Sequence, residues 1–333
     1  MKKHILLILS ILGVFIFTGC SQKISISSYA PAKIDRASQT KNIHVERFLN
    51  DNIGITNKLE TSLSQKIVYG KPYFTVLSRS QLNNILEEQK LQQSGLVSSK
   101  NVQPGKLIGS QAIISGEVVN SSVETSRFYQ TRTRCVDKKC KETYKYRISC
   151  TNYSYLVSVN IKMTDVSKGD IIYSETLEET DSYGVCRDSS YSVPNRDKVF
   201  STLTNYIVND FVNKISPNKI TRKIELLEDP EIDYSDKQET LLENSLILLK
   251  QGRLLKAEEK LSELLTSTNE KCYVVAYNLG VVKESLGKYR MAQQLYILAD
   301  NLVPKPEKLI SESLYRINTS MRNKKLVKTQ VEK

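Results

Sequence analysis

Histidine is almost absent: of 333 residues only His4 and His44 carry an imidazole. A Ser-His-Asp triad, a Cys-His pair or a histidine-rich metal centre would rest on His44 alone, because His4 lies in a segment read below as removed. The loops that cradle nucleotides are missing too, with neither GxxxxGK nor GxGxxG anywhere in the chain. No C-x2-C pair occurs, which disfavours a zinc knuckle. The adjacent carboxylates Glu87-Glu88 and Glu178-Glu179 point apart on a helix or strand, so they read as solvated faces rather than acid/base dyads. These absences argue against an enzyme and imply no cofactor and no metal.

What is present begins with MKKHILLILSILGVFIFTGC. Lys2 and Lys3 precede an apolar run over residues 5–17, broken only by Ser10 and Gly13 and too short for a membrane span, and small residues follow before Cys20. This is the pattern of a secretory signal, 1–19. The ending Phe17-Thr18-Gly19-Cys20 resembles the lipobox of bacterial lipoproteins. That resemblance implies acylation of Cys20 and a mature chain starting there. Two or more acyl chains anchor stably without spanning the bilayer. Ser21 rather than an aspartate follows, which implies export to the outer membrane, facing the periplasm. The formal charge of +12 falls to about +10 without Lys2 and Lys3. In an exported protein such a surface meets anionic headgroups, wall polymers or acidic proteins rather than nucleic acid, or simply keeps the molecule soluble.

Residues 20–41 are serine-rich and polar and read as a lipid-anchored tether. A mixed α/β domain is expected over 42–227. Its parts are a strand in IHVERFL (43–49), a helix with Leu59, Leu63 and Ile67 on one face, and a strand at 73–77. That strand is followed by a capping box, Ser78 with Gln81, and a helix ending near Gly95. A short helix at 104–109 and a strand at 111–119 come next. Residues 121–155, rich in Arg, Lys, Thr and Tyr, read as a long polar hairpin. Strict alternation from Tyr153 to Met163, a turn at Lys168-Gly169-Asp170 and a return strand complete a β-hairpin. Val199, Leu203, Ile207, Phe211 and Ile215 mark a helix over 195–215, and 220–227 adds a last strand.

An acidic linker, 228–239, leads to an all-helical module, 240–322, with a basic tail at 323–333. Gly252, Ala257 and Leu261 recur as Gly287, Ala292 and Tyr296, an offset of 35 residues that lies close to the tetratricopeptide period. The second unit resembles that repeat at Leu279, Gly280, Gly287, Tyr289, Ala292, Tyr296, Ala299 and Pro304. Small residues there let the two helices of a hairpin approach, and aromatics fill the gap between repeats. The first unit is weaker, with Ser245 in place of the helix-A glycine. Residues 311–322 read as a closing helix. Such a groove would take envelope proteins, and homo-oligomerisation stays open.

Cys135, Cys140, Cys150 and Cys186 sit in one exported domain, where oxidation favours bridges. Three connectivities exist. A turn at 136–139 lets Cys135 and Cys140 face each other, leaving Cys150 with Cys186; a four-cysteine zinc site is the alternative. Finally, FTVLSRS (74–80), LNNILEEQ (82–89), SGLV (94–97), GKLIG (105–109) and AIISG (112–116), with the later strand-turn-strand, resemble the CsgG family of outer-membrane lipoproteins. The resemblance implies the fold of that family, whose members include ring-forming curli secretion pores and non-pore relatives such as LpoB-like activators of wall synthesis. A pore needs lipid-facing strands with every second residue apolar, and the cations in 121–150 fall on both faces. The expectation is a non-catalytic outer-membrane lipoprotein that assists assembly or secretion of a surface structure through protein contacts.

Overall fold

The computed structural model describes residues 22–77, 109–230 and 232–332. The signal segment, Cys20, the capping box at Ser78, the helix expected up to Gly95 and residues 104–108 lie outside the described residues. The strands are β1 (Lys23–Ala30), β2 (Asn42–Val45), β3 (Ile67–Val68), β4 (Lys71–Pro72), β5 (Thr75–Leu77), β6 (Ala112–Cys135), β7 (Thr143–Asp165), β8 (Ile171–Cys186) and β9 (Asn218–Glu225). The described helices are α1 (Asp35–Ser38), α2 (Ile55–Ser64), α3 (Arg196–Ile215), α4 (Asp236–Lys250), α5 (Leu254–Ser267), α6 (Tyr273–Ser285), α7 (Tyr289–Leu302) and α8 (Lys308–Glu332). The chain forms two compact units. One is Tyr29–Lys219 with Asn323–Lys333; the other is the chain up to Ser28 with Ile220–Arg322. Among the described residues no helix is long and apolar enough to cross a membrane.

The first unit is built on a five-stranded mixed sheet in the order β5-β2-β6-β7-β8, with β2 parallel to both its neighbours and β6, β7 and β8 antiparallel. Its core follows from two periods. Tyr155, Val157, Val159, Ile161 and Met163 alternate along β7 and are all buried, while Leu203, Ile207, Phe211 and Ile215 bury one stripe of α3. Asn195 starts α3 by accepting a bond from the Asp197 amide, 2.8 Å. For α2 the same work falls to Asp51, whose carboxylate accepts from the amides of Ile55 (2.8 Å) and Thr56 (3.1 Å). Burial would raise the Asp51 pKa, but these bonds outweigh it and hold the pKa below the usual carboxylate value.

Several expectations change. The helix read through Ile67 stops at Ser64, and Ile67 lies exposed in the two-stranded β3–β4 turn. Tyr69 and Gly70 both take positive φ there and break the helical run. Residues 23–30, expected in the tether, form a strand whose Ile24 and Ile26 are buried; that two-residue alternation is too brief to stand out, and the partner, β9, is remote in sequence. β9 accordingly pairs with β1 and not with the five-stranded sheet. The tail at 323–332 continues α8 and is packed. Gln330 bonds Ala32 through both ends of its amide, 2.9 and 3.3 Å, and its carbonyl accepts from Lys41 Nζ, 2.6 Å. An apolar Val327 and this glutamine outweigh the charge of their neighbours.

The polar hairpin at 121–155 runs without a break into the strands expected on either side of it, giving 24 residues in β6 and 23 in β7. A bulge between Val118 and Asn120 explains how one strand serves two environments. Before it Ala112, Ile114 and Val118 face the core; beyond it the inward parity changes, so that Ser121 lies opposite the buried Val157. Gly116 is required just before the bulge, because a Cβ there would lie 2.1 Å from the Asn160 carbonyl oxygen and 2.5 Å from the Phe48 ring.

Candidate interaction site

Two features project chemistry beyond the cores: the helical hairpins of the second unit and the outer ribbon of the first. In the helical unit the eight residues singled out for repeat packing fall on α6, α7 and their flanks. Leu279, Gly280, Ala292, Tyr296 and Ala299 are all buried. Gly280 meets the Tyr296 ring so closely that a Cβ would lie 2.6 Å from it. Gly287 makes the turn between the helices with φ of 71°, Tyr289 is half-buried at the start of α7, and Pro304 is exposed beyond its end. In the first hairpin Ser245 and Leu261 occupy the corresponding places, both fully buried, with the Ser245 hydroxyl donating to the Leu241 carbonyl.

Sequence inspection missed the polar network that locks this packing. The Tyr296 hydroxyl donates to Glu284 Oε2 at 2.7 Å, and Arg316 on α8 bonds both Glu284 oxygens at 3.0–3.2 Å and Ser313 at 2.8 Å. Burial disfavours the Arg316 charge, yet the bonds and charge of Glu284 more than compensate and raise its pKa. Burial and then the Glu284 charge push the Tyr296 phenol well up. A second cluster joins α5 to α6, with Glu258 accepting from Lys283 at 2.5 Å and Lys288 at 2.8 Å. Asn278 holds the chain before the helices by bonding both the amide and carbonyl of Leu227. The signal in the sequence was Asn278, Lys283 and Glu284 on the otherwise apolar α6.

Apolar side chains left outside this network include Leu255, Met291, Ile297 and Tyr315, each 46–76% exposed. They stand on three helices, Leu255 on α5, Met291 and Ile297 on α7 and Tyr315 on α8. Cys272 is buried with its sulfur 3.0 Å from the Tyr234 hydroxyl. His44 is likewise a core residue, its Nδ1 bonded to the Leu77 carbonyl at 3.0 Å.

In the ribbon, Cys135 is bridged to Cys140 across the tip, and Cys150 to Cys186 between β7 and β8, where the register sets them opposite each other. The four cysteines are therefore not together in one cluster. Paired residues share a face, so Arg132 and Arg134 lie with Tyr146 and Tyr144, while Arg127, Lys145 and Arg147 occupy the other face with Tyr129. Arg132 pairs with Asp188 at 3.0 Å, and the Arg147 guanidinium lies 5.2 Å over the Tyr129 ring.

No curated protein matches this sequence. Among solved structures, a lipoprotein from Neisseria meningitidis is 16% identical over 52% of this chain and 99% of its own, with a TM-score of 0.22. A minor lipoprotein from Acinetobacter baumannii is 16% identical over 53% and 89%, at 0.20. The PelC dodecamer from Paraburkholderia phytofirmans is 11% identical over 59% and 98%, at 0.25. The family described as curli production assembly/transport component CsgG matches residues 21–187, half of the chain, ending just after the second bridge closes at Cys186. Sheet, ribbon and both bridges fall inside that match, and the chain belongs to the CsgG family.

Proposed function

We propose that this protein is a non-catalytic lipoprotein of the outer membrane, held by acyl chains on Cys20. In it a CsgG-type domain carries a tetratricopeptide-like module that grips an envelope protein while a surface structure is assembled or secreted. The observation that carries the reading is the contact of Gly280 with Tyr296. A helix-A glycine against a helix-B aromatic is how such repeats achieve close hairpin packing, and modules of that type bind extended peptides or helices. The family membership supports an envelope role, and the buried position of His44 supports a non-catalytic one.

Photo-crosslinking residues at Leu255, Met291 and Ile297, introduced singly into the full chain in cells, test the reading. The same envelope protein should be captured from at least two of these positions and lost from a position on the opposite, buried side of the helices. Capture of no envelope protein from any position sinks it. For the anchor, Cys20→Ala should abolish labelling by radioactive palmitate and release the protein from membranes. A secretion pore is the second reading, favoured by the length of the β6–β7 ribbon, and it predicts conductance in planar bilayers.

A further inference from the structure

The ribbon tip and a groove in the helical unit are complementary in two respects. Gln22 and eleven residues between 228 and 247 line a groove of about 630 Å³. Its apolar part includes Leu242 and Leu246, both buried, and Ile247, half exposed. Around these stand Glu228, Asp229, Asp233, Glu239 and Glu243, and none of the described residues lining the groove is a cation. Gln22 Oε1 is buried there without a hydrogen-bond partner. On a chain with a net charge of +12 such a local excess of carboxylates stands out.

The ribbon tip has the opposite character. Between residues 134 and 145 five cations, Arg134, Lys138, Lys139, Lys141 and Lys145, face two carboxylates, Asp137 and Glu142. Val136, beside the bridged Cys135, is 61% exposed. The Cys135–Cys140 bridge fixes this loop, and the Val136 amide bonds the Glu142 carbonyl at 2.9 Å while Asp137 accepts from the Lys141 amide at 3.1 Å. A closed basic loop with an exposed apolar residue at its base loses little entropy when it docks.

We infer that the stapled tip of one copy docks into the acidic groove of a second copy, Val136 entering over Ile247 and Leu246 while lysine ammonium groups meet the rim carboxylates. The contact is heterologous, tip to groove, so copies join head to tail. Net repulsion between two basic chains is screened beyond roughly 8 Å at physiological salt, which leaves the short-range pairs to decide. This self-association goes beyond the proposed partner-binding role and does not depend on it; crosslinked partners and self-association are read out separately.

The test is sedimentation velocity of the full-length chain in detergent, with the tip variant Lys138→Glu/Lys139→Glu and the groove variant Glu239→Lys/Glu243→Lys. Wild type should self-associate at 0.15 M salt and dissociate at 1 M. Each variant alone presents like charges to itself and should associate at least about tenfold more weakly. Mixed together, the acidic tip of one meets the basic groove of the other, and the basic tip meets the acidic groove, so association should return. Glu239→Gln/Glu243→Gln, also weakened, serves if the lysine variant loses its helical circular dichroism. The proposal is overturned by a wild-type chain that stays monomeric at 100 µM, by association indifferent to either reversal, or by a mixture that fails to restore it.

Discussion

Gly280 illustrates how a single residue sets the geometry of an element. A methyl group there would gain about 1 kcal/mol of helix propensity, but it would lie 2.6 Å from a Tyr296 ring that is fully buried and tied to Glu284. The ring has nowhere to move. Gly280→Ala should therefore destabilise the protein by about 1–3 kcal/mol in thermal denaturation. Gly184→Ala is the control: its Cβ would meet Phe128 at 3.4 Å, ordinary contact, and stability should change by less than about 0.5 kcal/mol. Lys41 makes a pH-dependent prediction. Its ammonium lies 3.6 Å over the Tyr73 ring, and burial lowers its pKa from 10.5 to about 8. A depressed lysine pKa means that the unfolded chain binds more protons between pH 8 and 10.5, so stability rises with pH across that window. The urea midpoint should climb from pH 8 to pH 10, and Lys41→Met should remove most of that climb; parallel curves for the two proteins would refute it.

At the scale of elements, the two bridges should contribute unequally. The Cys150–Cys186 bridge closes 36 residues and joins two strands of the main sheet, whereas Cys135–Cys140 closes 5 within a turn. Loop-closure entropy then favours about 4 kcal/mol for the first and about 2 for the second. Replacing the first pair by serines should lower the melting temperature more than replacing the second, and equal losses would contradict the ordering. How far such elements could be read in advance depended on where their partners lie. The stripe from Val199 to Ile215 and the alternation from Tyr155 to Met163 each bury a face by local period alone, and both were readable. β1 was not, because Ile24 and Ile26 make sense only once Ile224 and Leu226 of the distant segment share their core. The Glu284–Arg316 pair was hidden for the same reason: its partners lie 32 residues apart on different helices. The outer reach of β6 and β7 was readable as a polar hairpin from its turn at 136–139, although backbone pairing rather than apolar burial carries strands whose side chains are polar on both faces.

For the molecule as a whole, the choice between scaffold and pore turns on what the ribbon would show to lipid. β6 at about 3.3 Å per residue spans roughly 80 Å, long enough to cross a hydrocarbon layer of about 30 Å. Length is therefore no obstacle. Register is: one face carries Arg132 and Arg134, the other Arg127, Lys145 and Arg147, and neither face offers an unbroken apolar row. A cation facing lipid costs about 2–4 kcal/mol near the midplane and less near the interface. Whichever face turned outward, two or three such costs per copy would stand against insertion, and in a ring they multiply with the number of copies. Full-length protein reconstituted into planar bilayers should accordingly give no conductance above that of the bare membrane, even at protein concentrations where it self-associates. Discrete, voltage-stable channel steps would show that the ribbon does enter lipid, and that its cations line a water-filled lumen instead. In that event Arg132→Ala and Arg134→Ala, or Arg127→Ala and Arg147→Ala, should alter anion selectivity for only one of the two pairs, identifying the face that lines the channel.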